Sequence, residues 1–168
     1  MYFANFPTLV YSLDGGTTNF LMTDMFRRVV ATTNSLLTST AYDQYQIKDG
    51  ETPDILADKL YNDTTLYWVI LLANNIIDPR YEWPLTNNAL SQYITDSYGQ
   101  GNELNVHHYI NTFGDIVPST YTSTAITAVN NTDYETELNE AKRGISVIKP
   151  QFVSVFVKNV NGLLATGS

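Results

Sequence analysis

The sequence predicts an α+β fold, with a small β-α-α-β core and extended arms on either side of it. Tyr45 and Ile47 alternate with polar neighbours, which is the period of a half-buried strand. Thr52 followed by Pro53 predicts a helix start, because Thr is a good N-cap and Pro is tolerated at the first helical position. An unbroken apolar run at residues 66–73 then predicts a second helix that is buried on several sides.

The segment before the core reads as a loosely organised arm. Thr8 to Ser12 has the composition of a strand, and Asp14-Gly15-Gly16 is a turn signal. Thr23-Asp24 is a plausible helix N-cap, and residues 32–40 are rich in Thr and Ser without a clear period. We therefore assign residues 1–40 to an N-terminal arm.

Residues 41–99 form the predicted core. Asp49-Gly50 is the turn between the first strand and the first helix, since Gly accepts a positive φ at no steric cost. Asn74-Asn75 ends the second helix, and the chain then continues as an extended segment towards Asp78-Pro79. A third helix is expected over residues 87–98, with Thr86 as its N-cap and Gly99 after its end.

Residues 100–168 are predicted to form a C-terminal extension made of a strand, a connector and a tail. The strand covers residues 106–110, and the connector covers residues 114–131, which are rich in Ser, Thr and Ala. Residues 133–143 read as helix or loop, and residues 145–148 alternate weakly. Residues 151–158 fit a helix face and a strand face equally, so both alternatives stay open.

Composition excludes several classes of function. The net charge is −8 and there are only nine Lys and Arg residues, which argues against nucleic acid and against anionic membrane surfaces. No apolar run approaches the ~18 residues of a membrane span, and the N-terminus does not resemble a signal peptide. Charged residues make up only 15%, so the protein is expected to lie packed against other proteins.

Catalytic and metal motifs are lacking in the sequence. There is no Cys, no nucleophile elbow, no phosphate-binding loop and no zinc-protease motif, so we expect neither an enzyme nor a cofactor. His107 and His108 are the one place where a metal could be argued. Neighbouring residues on a strand point to opposite faces, so the pair is expected to serve packing or hydrogen bonding rather than a metal.

A few aromatic and cationic residues are candidates for partner binding. Tyr81 and Trp83 lie in a Pro-flanked segment, where aromatic side chains either fold back on the core or line a partner groove. In a chain this poor in cations, paired basic residues are natural anchors for an acidic partner. The candidates are Arg27, Arg28, Tyr81, Trp83, Lys142 and Arg143.

The core resembles a LysM module, whose pattern is a strand, a turn, two short helices and a closing strand. Asp49-Gly50-Glu51-Thr52 stands at the turn, but residues 81–85 replace the usual closing strand. This resemblance implies an alternative function, the binding of the N-acetylglucosamine polymer of peptidoglycan. The loops flanking the sugar would then carry Asp49, Gly50, Asn74 and Asn75.

The order of motifs along the chain resembles the baseplate wedge protein 53 family of contractile-tailed, T-even-like bacteriophages. The motifs are Phe6-Pro7, the stretches at residues 23–29, 49–53 and 68–79, Trp83-Pro84-Leu85, His107-His108-Tyr109 and residues 138–143. The resemblance implies a structural component of the virion, located in the tail baseplate and assembled in the host cytoplasm. It also implies that the protein joins neighbouring wedges around the central hub, with other wedge proteins and neighbouring copies of the wedge as partners.

Overall fold

The computed structural model describes residues 6–13, 15–16, 18–24 and 39–166. The chain divides into two compact units. The first unit comprises residues 1–45, 51–82 and 145–168, and the second unit comprises residues 46–50 and 83–144. The mixture of helices with small antiparallel sheets confirms the predicted α+β class.

Seven strands and six α-helices lie in the described part of the chain. The strands are β1 Thr8–Tyr11, β2 Phe20–Thr23, β3 Tyr42–Gln46, β4 Val106–Asn111, β5 Ile116–Val117, β6 Ile126–Asn130 and β7 Gly144–Ile148. The helices are α1 Pro53–Tyr61, α2 Tyr67–Ala73, α3 Pro79–Glu82, α4 Asn87–Tyr98, α5 Asn131–Ala141 and α6 Pro150–Thr166. Short 3-10 turns precede β3 and α2.

Strand β3 pairs with β7, which comes from the far end of the chain. The Lys149 N–H donates to the Ala41 carbonyl at 2.9 Å, and the Ile47 N–H donates to the Arg143 carbonyl at 3.0 Å. This pattern makes the two strands antiparallel. Asn74 ends α2 as predicted, and residues 76–78 are not helical. The expectation that this segment closes the core is wrong, because Pro79 starts the short helix α3 and the strand that closes the sheet is β7.

The two core helices begin as the sequence predicts. Thr52 stands at the N-cap of α1, and Pro53 is its first residue. The Asp63 carboxylate accepts from the Thr65 N–H at 2.8 Å and starts the 3-10 turn that leads into α2. Trp68 is buried in α2, which confirms its predicted place in the core.

Helix α6 settles the open assignment of residues 151–158. Its buried side chains recur at helical spacing and pack with Trp68 and Val69 of α2 and with Ile148 of β7. They are Val153, Phe156, Val160 and Leu164. A strand would bury alternate residues, whereas the residues of this segment that pack in the core lie three or four positions apart, as in a helix.

The second unit is built around a three-stranded antiparallel sheet with β4 in its centre. Tyr109 of β4 stands opposite Val117 of β5 on one side and opposite Ala128 of β6 on the other. The predicted connector at residues 114–131 is therefore wrong, because it holds β5 and β6. Its polar, Ser- and Thr-rich sequence shows no alternation, so the pairing with β4 gives it order.

Two helices complete the second unit. Helix α4 covers the predicted range, and the Thr86 hydroxyl accepts from the Ala89 N–H at 3.2 Å at its N-cap. Residues 133–143 were open as helix or loop, and α5 takes up most of them, starting two residues earlier and ending at Ala141. The Tyr98 hydroxyl of α4 donates to the Glu135 carboxylate of α5 at 2.7 Å.

In the described part of the arm, β1 pairs antiparallel with β2, in register from Thr8 opposite Thr23 to Tyr11 opposite Phe20. Strand β1 confirms the predicted strand. Thr23 ends β2, and the residues that would form the helix predicted after it lie outside the described part of the chain.

We expect Phe156→Ala to destabilise the protein by about 3–5 kcal/mol, the usual cost of emptying a buried aromatic site. Phe156 is fully buried against α2, whereas its neighbour Val155 is exposed. Urea unfolding followed by circular dichroism measures both changes. Val155→Ala is the control and should cost less than about 0.5 kcal/mol. Equal losses for the two variants would contradict the packing of α6.

Candidate functional site

The described residues offer no metal site. No group of three or more His, Cys, Asp or Glu side chains in this part of the chain lies close enough to hold an ion. The same residues contain no helix that is both long and apolar enough to span a membrane. Surfaces for protein contact are therefore the features to compare.

The two histidines lie on the same side of β4. Their Nδ1 atoms are 2.9 Å apart, and the ring of His107 stacks on Tyr134 with centroids 4.0 Å apart. A register shift between Val106 and His108 breaks the alternation of the strand. The expectation that the pair points to opposite faces is thus wrong, and the reason is this bulge.

Helix α3 presents Tyr81 to solvent. The Tyr81 side chain is 73% exposed, and the Arg80 guanidinium lies 5.7 Å from its ring centroid. Arg80 is held in turn by Asp78, through bonds of 3.0 Å from Nε and 2.7 Å from Nη2. These bonds to Arg80 lower the pKa of the Asp78 carboxyl. The exposed ring therefore stands beside a cation that is paired with Asp78.

Trp83 and Arg143 lie inside the second unit rather than on its surface. Trp83 is only 6% exposed. The Arg143 side chain is 11% exposed, and it donates to Glu140 at 2.6 Å and to the Ile47 carbonyl at 3.1 Å. Arg143 thereby ties the segment at residues 46–50 to the end of α5. Lys142 is half-buried, and Arg27 and Arg28 lie outside the described residues.

The residues of the alternative sugar-binding loops belong to different units. Asp49 and Gly50 lie in the second unit, where the Asp49 carboxylate accepts from the Asn87 N–H at 2.9 Å and Gly50 has a φ of +79°. Asn74 and Asn75 lie in the first unit, where Asn75 has a φ of +55°. Each pair thus has a local structural role in its own unit.

The Asn74 side chain holds the edge of β7. Its Nδ2 donates to the Ser146 carbonyl at 2.8 Å and to the Ile70 carbonyl at 2.9 Å, while its Oδ1 accepts from the Ser146 N–H at 2.8 Å. One amide thus occupies both backbone groups of a strand residue. Asn74 was predicted only as a helix end and a sugar-loop residue, because its partner in β7 is distant in sequence.

Asn139 repeats this arrangement in the second unit. Its Oδ1 accepts from the Leu85 N–H at 2.7 Å, and its Nδ2 donates to the Leu85 carbonyl at 3.0 Å. The side chain is buried, so the two bonds satisfy polar groups that water does not reach. Sequence analysis missed Asn139, which lies within a polar helix and carries no local signal.

The first unit contains an open groove of about 570 Å³ along α6. Its walls come from the ends of α1 and α6 and from the turn before α2; they are Leu60, Tyr61, Asn62, Leu66, Pro150, Val153, Ser154 and Val157. The Tyr61 hydroxyl is buried without a hydrogen-bond partner in the described structure. Burial raises the pKa of Tyr61 to about 12, and the nearby Ile148 backbone opposes that rise only in part.

Two comparisons with known proteins bear on this chain. The sequence model of a family described as base plate wedge protein 53 matches residues 1–117. Over 94 residues the chain is 30% identical to the baseplate wedge protein gp53 of Enterobacteria phage T4. That stretch is 56% of this chain and 48% of the phage T4 protein, so the chain spans about half the length of the curated relative it matches.

We expect Asn74→Ala to destabilise the protein by about 2–3 kcal/mol, because it leaves the Ser146 N–H and carbonyl without this partner. Urea unfolding measures the loss. Asn88→Ala, an exposed change in the first turn of α4, is the matched control and should be close to neutral. If the two variants unfold at the same urea concentration, the amide does not hold β7.

Stability should fall as the pH rises from about 10 to about 12. The unfolded chain releases its tyrosine protons near pH 10, whereas folding raises the pKa of Tyr61 and of Tyr98 to about 12. The unfolded state therefore binds fewer protons in this window, and unfolding becomes more favourable. The free energy of unfolding is measured by a urea titration in ~1 M steps, which is repeated at pH 8, 10 and 12.

Tyr61→Phe and Tyr98→Phe should both reduce this pH dependence but should differ at neutral pH. Tyr61→Phe removes a buried hydroxyl without a partner, so it should be neutral or stabilise by about 1 kcal/mol. Tyr98→Phe breaks the bond to Glu135 and should destabilise. An unchanged alkaline slope in both variants would contradict the assignment.

Proposed function

The chain belongs to the base plate wedge protein 53 family, and from this premise we propose that it is an adaptor that joins neighbouring wedges around the central hub. The family makes it a structural component of the phage tail base plate. The match over residues 1–117 is the observation that carries the proposal. The proposed partners are other wedge proteins and neighbouring copies of the wedge.

Helix α3 is the first surface that we assign to partner binding. Tyr and Arg are among the residues that carry most of the energy at protein interfaces. Tyr81 is exposed, and the Arg80 guanidinium beside its ring is paired with Asp78. A tyrosine side chain has few rotatable bonds and loses little entropy on contact, which suits an anchor.

The other candidates for partner binding differ in whether they pack within their own unit. Lys142 is half-buried at the end of α5, and we keep it, together with Arg27 and Arg28, as a candidate for an acidic partner surface. Trp83 and Arg143 pack within their own unit. Replacing either of them would change folding as well as assembly, so these two residues are poor probes of the interface.

The peptidoglycan alternative finds less support in the geometry. The amide of Asn74 is used by Ser146 and Ile70, and the Asp49 carboxylate accepts from Asn87. Both side chains therefore have structural partners where the alternative needs them for a sugar. Sedimentation with purified peptidoglycan tests it, and binding that is lost on Asn75→Ala would replace the adaptor proposal.

We expect Tyr81→Ala to weaken joining of the chain to the other wedge proteins by about 30-fold, the change that removal of an interface anchor of ~2 kcal/mol produces. The thermal midpoint should stay unchanged, because the side chain is exposed. The measurement is titration of purified wedges that lack this chain, with completed base plates counted by electron microscopy.

Tyr93→Ala is the control for this experiment. Tyr93 is a partly exposed tyrosine on α4, and its removal should leave joining unchanged. Equal assembly of the parent and the Tyr81 variant would show that α3 is not an interface. Failure of the parent to join any wedge preparation would reject the adaptor function itself.

A further inference from the structure

Strands β4 and β5 of the second unit form a tight hairpin. Ile110 stands opposite Ile116, and the Asn111 N–H donates to the Asp115 carbonyl at 3.0 Å, which leaves residues 112–114 as the loop. Gly114 has a φ of +87°, as three-residue hairpin loops require at their last position. The geometry of the loop is therefore set by local chemistry.

The buried side chain of Asn111 fixes this loop from within. Its Oδ1 accepts from the Phe113 N–H at 2.8 Å and from the Asp115 N–H at 2.9 Å. Its Nδ2 donates to the Asp115 carboxylate at 3.1 Å, so the one charge of the loop already has a partner. The backbone of the tip is thus held by hydrogen bonds from its own residues.

A large apolar side chain stands at this tip. Phe113 is 80% exposed, the highest value among the exposed large hydrophobic residues in the described part of the chain, and Ile116 beside it is 72% exposed. An exposed ring adds little hydrophobic stabilisation to the folded monomer, whereas burying it at a partner would remove much apolar area from water. Because the loop is already fixed, ordering it on binding costs little.

We propose that Phe113 is an anchor that inserts into an uncharged apolar pocket of another structural protein of the base plate wedge. This inference rests on the proposed function, since it names a second surface of the same adaptor. A pocket on a second copy of this chain is disfavoured, because copies with a net charge of −8 repel one another. The partner pocket should offer an apolar wall to the ring and contain no carboxylate.

The test compares Phe113→Ala with the parent in binding to purified wedges that lack this chain. The expected result is an approximately 30-fold rise in Kd for Phe113→Ala, the scale of a lost aromatic anchor. Phe113→Trp keeps a ring and should bind within about threefold of the parent, a difference below ~1 kcal/mol. Leu104→Ala removes another exposed apolar side chain of the same unit, and it should leave Kd unchanged.

The loop itself is tested by Asn111→Ala, in which Phe113 remains but its position is no longer fixed. Binding should weaken, and the thermal midpoint shows how much of the protein remains folded. Phe113→Ala should not change that midpoint. Photoreactive p-benzoylphenylalanine in place of Phe113 should crosslink to a wedge protein on illumination.

The outcomes separate this inference from the proposed function. If the parent binds wedges and Phe113→Ala binds equally well, the anchor is rejected and the adaptor function stands. A crosslink to a second copy of this chain would also reject the assigned partner. If the parent does not bind wedges at all, the adaptor function fails and this inference fails with it.

Discussion

The pairing of β3 with β7 is the constraint on which the first unit depends. Gln44 of β3 donates a hydrogen bond to Ser146 of β7 at 3.1 Å, across 102 positions in sequence. Because α6 follows β7 directly, the pairing places α6 in the core, where Phe156 and Val160 are fully buried. The family match ends at residue 117, yet β7 and α6 lie beyond it and complete the sheet and the core. Long loops must close before these contacts form, so this unit should fold only when the whole chain is present.

Amide side chains explain how a chain with so few charges satisfies its buried backbone. Asn74 binds both polar groups of Ser146, and Asn139 binds both polar groups of Leu85. The Asn111 side chain accepts hydrogen bonds from two backbone N–H groups in the hairpin tip. The buried polar residues of the described structure are all Asn, so neutral amides rather than charges meet the polar groups inside it. A neutral amide supplies one donor group and one acceptor, and it avoids the desolvation cost of a charge.

Local signals allowed α1, α2 and α4 to be predicted, whereas distant pairing did not show in the sequence. Thr86 and Gly99 lie at the two ends of α4 as expected, because caps act through neighbouring backbone groups. Strands β5 and β6 were missed, since their order comes from β4 rather than from their own alternation. The same limit applies to the candidate surface. Tyr81 and Trp83 stand two positions apart in one Pro-flanked segment, yet one is exposed and the other buried, and no periodicity in that segment separates them.

Four cations in the described part of the chain form ion pairs within it, which affects how the proposed adaptor would gain specificity. Lys59 pairs with Glu51, Arg80 with Asp78, Arg143 with Glu140, and Lys149 with Asp43. The pairs of Lys59, Arg80 and Lys149 are at least partly exposed, and such pairs contribute little affinity to a partner and are screened by salt. Phe113 is held differently, since the amide of Asn111 fixes the backbone of its loop. Under the proposed function, recognition should therefore rest on the fit of exposed rings into apolar pockets more than on charge, because a net charge of −8 supplies repulsion but little geometric selectivity.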